Sequence, residues 1–136
     1  MDKAQLEQLV RQFLAEKMQP AVLRAGHIDQ FSPQDRLDTG HPADQVYTHD
    51  LFSLEQSPRL GAGWMEMRQT TFAWKLDYDE MDYIVEGTLS IITPQGTVTG
   101  NPGDVLYIPK GSQIQFSAPN YAKFLYFTYP ADWQNT

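Results

Sequence analysis

Two short runs, residues 80–87 and residues 103–111, are separated by only fifteen residues, 88–102, which have room for one hairpin and little else. The first run reads Glu-Met-Asp-Tyr-Ile-Val-Glu-Gly. As a strand it divides its side chains between two faces, with Glu80, Asp82 and Ile84 on one and Met81, Tyr83 and Val85 on the other. The second run, Gly-Asp-Val-Leu-Tyr-Ile-Pro-Lys-Gly, is a turn, a β-prone stretch and a second turn at residues 109–111. If the first face points inward, it carries two carboxylates into the interior.

The chain on either side repeats this style. Strands are predicted at 46–52, 62–68, 70–76, 80–85, 88–93, 96–99, 105–108, 113–117 and 122–129, with Pro94-Gln95 turning a hairpin. Short strands at regular spacing, with no helical period between them, predict an all-β sandwich or barrel. One helix precedes them. Leu6, Leu9, Val10, Phe13 and Leu14 form an apolar stripe at helical spacing, Asp2 and Gln5 have the spacing of a capping box, and Pro20 is the stop signal. Three regions follow: an amphipathic helix at 1–19, an irregular linker or edge segment at 20–45, and a β domain at 46–136. In the irregular part Val22, Leu23, Ile28 and Phe31 are expected along a sheet edge. Phe116, Phe124 and Phe127 read as core, as does Tyr83, while Met65 or Met67 fills barrel volume and Trp133 covers an open barrel end.

Charge and composition remove several function classes. A net charge of −7 opposes a nucleic-acid backbone or an anionic membrane as partner. With no cysteine there is neither a disulfide framework nor thiolate chemistry. No apolar run approaches the roughly 20 residues of a membrane span. The N-terminus has no signal-peptide core, so a cytoplasmic protein is expected.

These motifs resemble the cupin superfamily. Glu80 and Gly87 match the end of its first motif, Gly103, Pro109 and Gly111 match its second, and the fifteen-residue gap matches the short spacing of microbial cupins. More narrowly, five pieces resemble the cupin domain of the EutQ family of ethanolamine-utilisation proteins. They are Leu-Asp-Tyr-Asp-Glu-Met-Asp-Tyr at 76–83, Val-Glu-Gly-Thr-Leu at 85–89, Ile-Pro-Lys-Gly-Ser at 108–112, Ile-Gln-Phe at 114–116 and Tyr-Pro-Ala-Asp-Trp at 129–133. The resemblance is dense over 60–135 and loose before that. It implies a cupin-type jelly-roll barrel and a homodimer. It also implies a role in bacterial ethanolamine breakdown within a microcompartment, and an acetate kinase activity using ATP and Mg²⁺. It further implies that the helix at 1–19 acts like an encapsulation peptide that docks on a shell protein. The other reading of that helix is packing on its own barrel or on a dimer mate.

The resemblance also locates the metal positions of metal-binding cupins, and here they are greasy. Trp74, Leu76 and Ile114 stand where the three imidazoles would be, leaving Glu80 alone, so no transition metal is expected. The face it turns inward holds Glu80, Asp82 and Glu86. Glu80 and Asp82 are the candidate catalytic pair, for acid–base work or for holding Mg²⁺ through oxygens and water. The bland alternative is one satisfied buried pair. Tyr78, Tyr107 and Tyr126, with Glu66 and Lys75, are the candidate lining of a small-molecule pocket. Asp77 and Asp79 are expected in a solvated turn, and His27, His41 and His49 as surface or structural imidazoles. Phosphoryl transfer has weak support from the residues: no phosphate-cradling Gly-rich loop exists and cations are few. A cupin that binds a small molecule, or assembles in a microcompartment, without catalysis fits the same pattern.

Overall fold

A computed structural model of the protein describes residues 1–17 and 21–133. Alternating burial sets the strands. In β3 (Asp79–Gly87) residues 80, 82 and 84 are buried while Met81 and Tyr83 are exposed. The others are β1 (Gln45–Asp50), β2 (Gly61–Lys75), β4 (Leu89–Thr93), β5 (Gly96–Gly100), β6 (Val105–Ile108) and β7 (Gln113–Tyr129). Every pairing is antiparallel. The order is β1-β2-β7-β3-β6, with β4 joining β7 to β5. β2 and β7 run through both layers. The first half of β2 lies with β1 and the second half of β7, and its second half lies with the first half of β7 and hence with β4. Two sheets sharing two long strands make a jelly-roll barrel.

β2 and β7 are each one strand where the sequence predicts two. The chain bends at a bulge instead of breaking: Gln69 takes φ 46° and faces the unpaired Pro119 and Asn120, between the pairs Arg68–Tyr121 and Thr70–Ala118. Such a bulge resets parity. Inward positions on β2 are odd before it, at Met65 and Met67, and even after it, at Thr70, Phe72 and Trp74. Both methionines are core, since residues two apart share a face. A second register shift, between Ile84 and Glu86, turns Glu86 outward to the Tyr121 hydroxyl. Glu86 therefore leaves the interior face on which the first motif had placed it.

The core packs Val46, Met67, Phe72, Leu76, Ile84, Leu89, Ile114, Phe116 and Phe124. Phe127 and Tyr83, expected inside, are exposed, because strand parity puts them on the outer face of β7 and β3. The segment before β1 meets its edge at Phe31, whose ring lies 6.2 Å from that of Tyr47, and also at Leu37, which the sequence reading did not name and whose N–H donates to the Val46 carbonyl. Val22 and Leu23 do not; both are exposed. The helix α1 (Lys3–Lys17) carries its capping box, the Gln5 N–H donating to Asp2 Oδ1 and the Asp2 N–H to Gln5 Oε1. Its stripe of Leu6, Leu9, Val10, Phe13 and Leu14 is exposed. Pro20, read as its stop, lies outside the described residues.

Candidate functional site

A cavity of about 420 Å³ opens at one end of the barrel. Its volume falls within the range of small-molecule sites. β2 contributes Met65, Phe72 and Trp74, β3 contributes Glu80, and β7 contributes Phe116, Tyr126 and Thr128. The loop at 51–60 and the turn at 131–133 form the rim, where Asp50 and Asp132 are exposed. That loop is tied down: Ser53 and Gln56 exchange backbone-to-side-chain hydrogen bonds, and the Ala131 N–H donates to the Arg59 carbonyl.

The aromatic wall is ordered by its own polar tips. The Trp74 indole N–H donates to the Tyr78 hydroxyl at 2.9 Å, and Trp133 lies over Tyr78 at 4.4 Å and edge-on to Trp74 at 6.4 Å. The Tyr126 hydroxyl donates to Asp50 Oδ1 at 2.6 Å. Two glycines make room for this wall. A Cβ at Gly63 would collide with the Tyr126 ring and hydroxyl, and one at Gly61 with the Thr128 hydroxyl. Burial pushes the Tyr78 and Tyr126 phenols far above their ordinary range. The Glu80 charge adds to the rise of Tyr78 and the Asp50 hydrogen bond to that of Tyr126, so both stay neutral.

Glu80 is 5% exposed and Asp82 fully buried. No N–H or O–H of another described residue reaches Glu80 Oε2 or either Asp82 oxygen, so the hydrogen bond open to them is through a proton held between the two. Burial raises both acids above the usual carboxylate range. The Glu80 charge and a proton shared between the two raise Asp82 further, and the same proton eases the ionisation of Glu80. Hence the pair keeps a proton to a higher pH than an ordinary carboxyl does. Only Glu80 lines the cavity, because Asp82, two residues on along the same face, is sealed within the barrel. Asp82 can influence a ligand only through Glu80.

Of the expected lining, Tyr78 and Tyr126 are in place. Tyr107, Glu66 and Lys75 lie outside the cavity. Tyr107 alternates outward between Leu106 and Ile108, and its hydroxyl donates to Asp79. Glu66 faces outward on β2, where it accepts from Tyr121 and meets Arg68 Nε at 3.4 Å. Lys75, outward after the bulge, sits 3.9 Å from Asp77. Asp79 accepts the Lys110 N–H in the turn. His27 and His49 pair with Asp29 and Asp35, and none of the three histidines lines the cavity. Sequence reasoning overlooked Asp50, Thr128 and the rim loop, which meet Glu80 only through tertiary structure.

The donor set does not fit a transition ion. Leu76 and Ile114 are buried in the apolar core, Trp74 packs against it, and the described residues contain no group of three His, Cys, Asp or Glu able to hold a metal. No helix of the described residues is long and apolar enough to cross a membrane.

Comparison with known proteins bears on the family and the fold. The family model for "Ethanolamine utilisation protein EutQ" matches residues 1–135. The chain is 50% identical to "Acetate kinase EutQ" of Clostridioides difficile (strain 630), covering 98% of this chain and 94% of that one. It is 40% identical to the protein of the same name from Salmonella typhimurium (strain LT2), over 63% of this chain but only 38% of that longer one. Among solved structures, that of the Clostridium difficile EutQ protein superposes with a TM-score of 0.76 at 59% identity, covering 79% of this chain and 78% of that one. The barrel is of the cupin type.

Proposed function

The chain belongs to the EutQ family of ethanolamine utilisation proteins, and on that premise we propose that it transfers a phosphoryl group between ATP and acetate. The observation that carries this reading is the 50% identity to a relative named acetate kinase, matched over 94% of that relative's length. In the reaction a carboxylate oxygen of acetate bonds to the γ-phosphorus while the bond to the β,γ-bridging oxygen breaks, giving acetyl phosphate and ADP. Such transfers rely on positioning and charge neutralisation. Glu80 keeps a share of protons at neutral pH because it is buried, and in that form its carboxyl can donate to the acetate carboxylate. Asp50 and Asp132, exposed at the rim, are oxygen donors of the kind Mg²⁺ prefers, and the ion would supply the positive charge that the lining lacks. The test is acetyl phosphate formation with purified protein, with Glu80→Ala and Asp132→Asn alongside. Loss of about tenfold or more in each variant, on an unchanged fold, is expected. Full activity in Glu80→Ala would remove this cavity from the mechanism.

A second reading is favoured by one observation. Among the described residues, no Lys, Arg or His lines the cavity. A barrel that binds a small molecule without turnover fits that lining better than one that grips a triphosphate.

The surfaces support partners. Met81, Tyr83, Val105, Tyr107, Phe127 and Tyr129 are all exposed and lie side by side on the outer face of β6, β3 and β7. An apolar patch of this kind fits a homodimer face. The exposed stripe of α1 supports docking on a microcompartment shell protein, with a cytoplasmic location inside such a shell.

A further inference from the structure

The cavity lining is one-sided in charge. Three carboxylates reach it, Asp50 and Asp132 at the rim and Glu80 at the floor, and no basic side chain among the described residues opposes them. Two of its strongest neutral donors are already committed, the Trp74 N–H to Tyr78 and the Tyr126 O–H to Asp50. What the lining offers a ligand most is carboxylate oxygen and aromatic surface, beside the hydroxyls of Thr48, Ser53, Tyr78 and Thr128. Glu80 is the most telling residue: it is 5% exposed, lies at the cavity floor, and apart from a proton shared with Asp82 it receives no hydrogen bond from the described residues. A buried carboxyl with acceptor capacity left unfilled costs free energy until a donor arrives. Trp74, Tyr78 and Trp133 form a continuous ring wall, and aromatic faces attract cations through their quadrupoles.

We propose that this cavity binds a small organic ammonium ion, its N–H groups directed to Glu80 and its carbon atoms against Trp74, Tyr78 and Trp133. An ammonium supplies the positive charge that the lining lacks, together with donors for its carboxylate oxygens. A carboxylate of the same size brings no positive charge and meets Glu80 as a like charge whenever Glu80 is ionised. The proposal rests on the cavity being a ligand site and not on phosphoryl transfer. If the kinase reaction uses the same cavity, an ammonium compound competes with acetate.

The experiment is isothermal titration of the full chain, without nucleotide, with propylammonium chloride, sodium propionate and 1-propanol at matched ionic strength. Propylammonium should bind tighter than either counterpart by about tenfold or more. Glu80→Gln removes the acceptor charge, and Trp133→Leu removes a π face while keeping the site apolar. Each should erode that preference, with thermal unfolding confirming the fold. Glu86→Gln removes the same charge from the outer face of the same strand and should leave the preference intact. Propionate binding as tightly as propylammonium, an undiminished preference in Glu80→Gln, or equal loss in Glu86→Gln would overturn the proposal. Because no nucleotide is present, a failed acetate kinase assay leaves this result standing, and a failed titration leaves the kinase reading untouched.

Discussion

Glu80→Gln should make the protein more stable as pH rises, which is the reverse of what deleting a useful polar group does. Glu80 is an acid raised in the folded state from 4.5 to about 7, mainly because it is buried. The folded chain therefore binds this proton more tightly than the unfolded chain does. The native protein has full stability from this group below about pH 4.5 and loses it as pH climbs to about 7. Each unit of raised value is worth roughly 1.4 kcal/mol, so the loss at pH 8 is about 3 kcal/mol. Glutamine keeps the shape of the protonated acid and cannot ionise. Removing the Glu80 charge also relieves Asp82, so its contribution has the same sign. The stability gap between variant and parent should widen by about 2–3 kcal/mol between pH 5 and pH 8, or roughly 10 °C in Tm for a domain of this size. Thermal unfolding followed by circular dichroism at both pH values measures it. The effect of net charge is nearly common to the two proteins and largely cancels in the difference. A gap independent of pH, or one that narrows as pH rises, would refute a dry, proton-holding floor to the cavity.

Gly63→Ala should cost about 1–3 kcal/mol and disturb the Tyr126–Asp50 hydrogen bond, because the new methyl occupies the place of the Tyr126 ring; denaturant unfolding with tyrosine fluorescence reads both, and an unperturbed variant would contradict the packing described. Lys123→Met should destabilise by about 2 kcal/mol and speed proteolysis near residues 26–30, since the buried Lys123 Nζ donates to the Ile28 carbonyl at 2.6 Å and ties that segment to β7. Mass-resolved limited trypsinolysis would show it, and an unchanged cleavage pattern would argue against the tie. Deleting residues 1–17 should move Tm by less than about 2 °C, because the apolar stripe of α1 is exposed. A drop of about 10 °C would mean that the stripe supports the barrel after all.

Much of this protein was decided within a few residues of sequence. Turn residues and period-two alternation were enough for most strand positions, for the hairpin at Pro94-Gln95 and for setting Glu80 and Asp82 on one face, because which residues share a face in a strand depends only on local parity; that this face points inward was implied by the family resemblance. That Trp74, Leu76 and Ile114 offer no metal ligand was likewise legible from residue type alone, and the structure puts Leu76 and Ile114 in the apolar core with Trp74 packed against it. Parity was also where local reading failed. The bulge at Gln69 and the shift before Glu86 each add a residue to one strand and not to its neighbour, so which side chains turn inward beyond them depends on strand pairing across the barrel. That pairing put Glu66, Lys75 and Tyr107 on the outside, and brought Asp50 and Thr128 to the same cavity as Glu80. Depth was tertiary as well: Glu80 and Asp82 share one face, yet only the closing of the barrel around them left one at the cavity floor and sealed the other in the core.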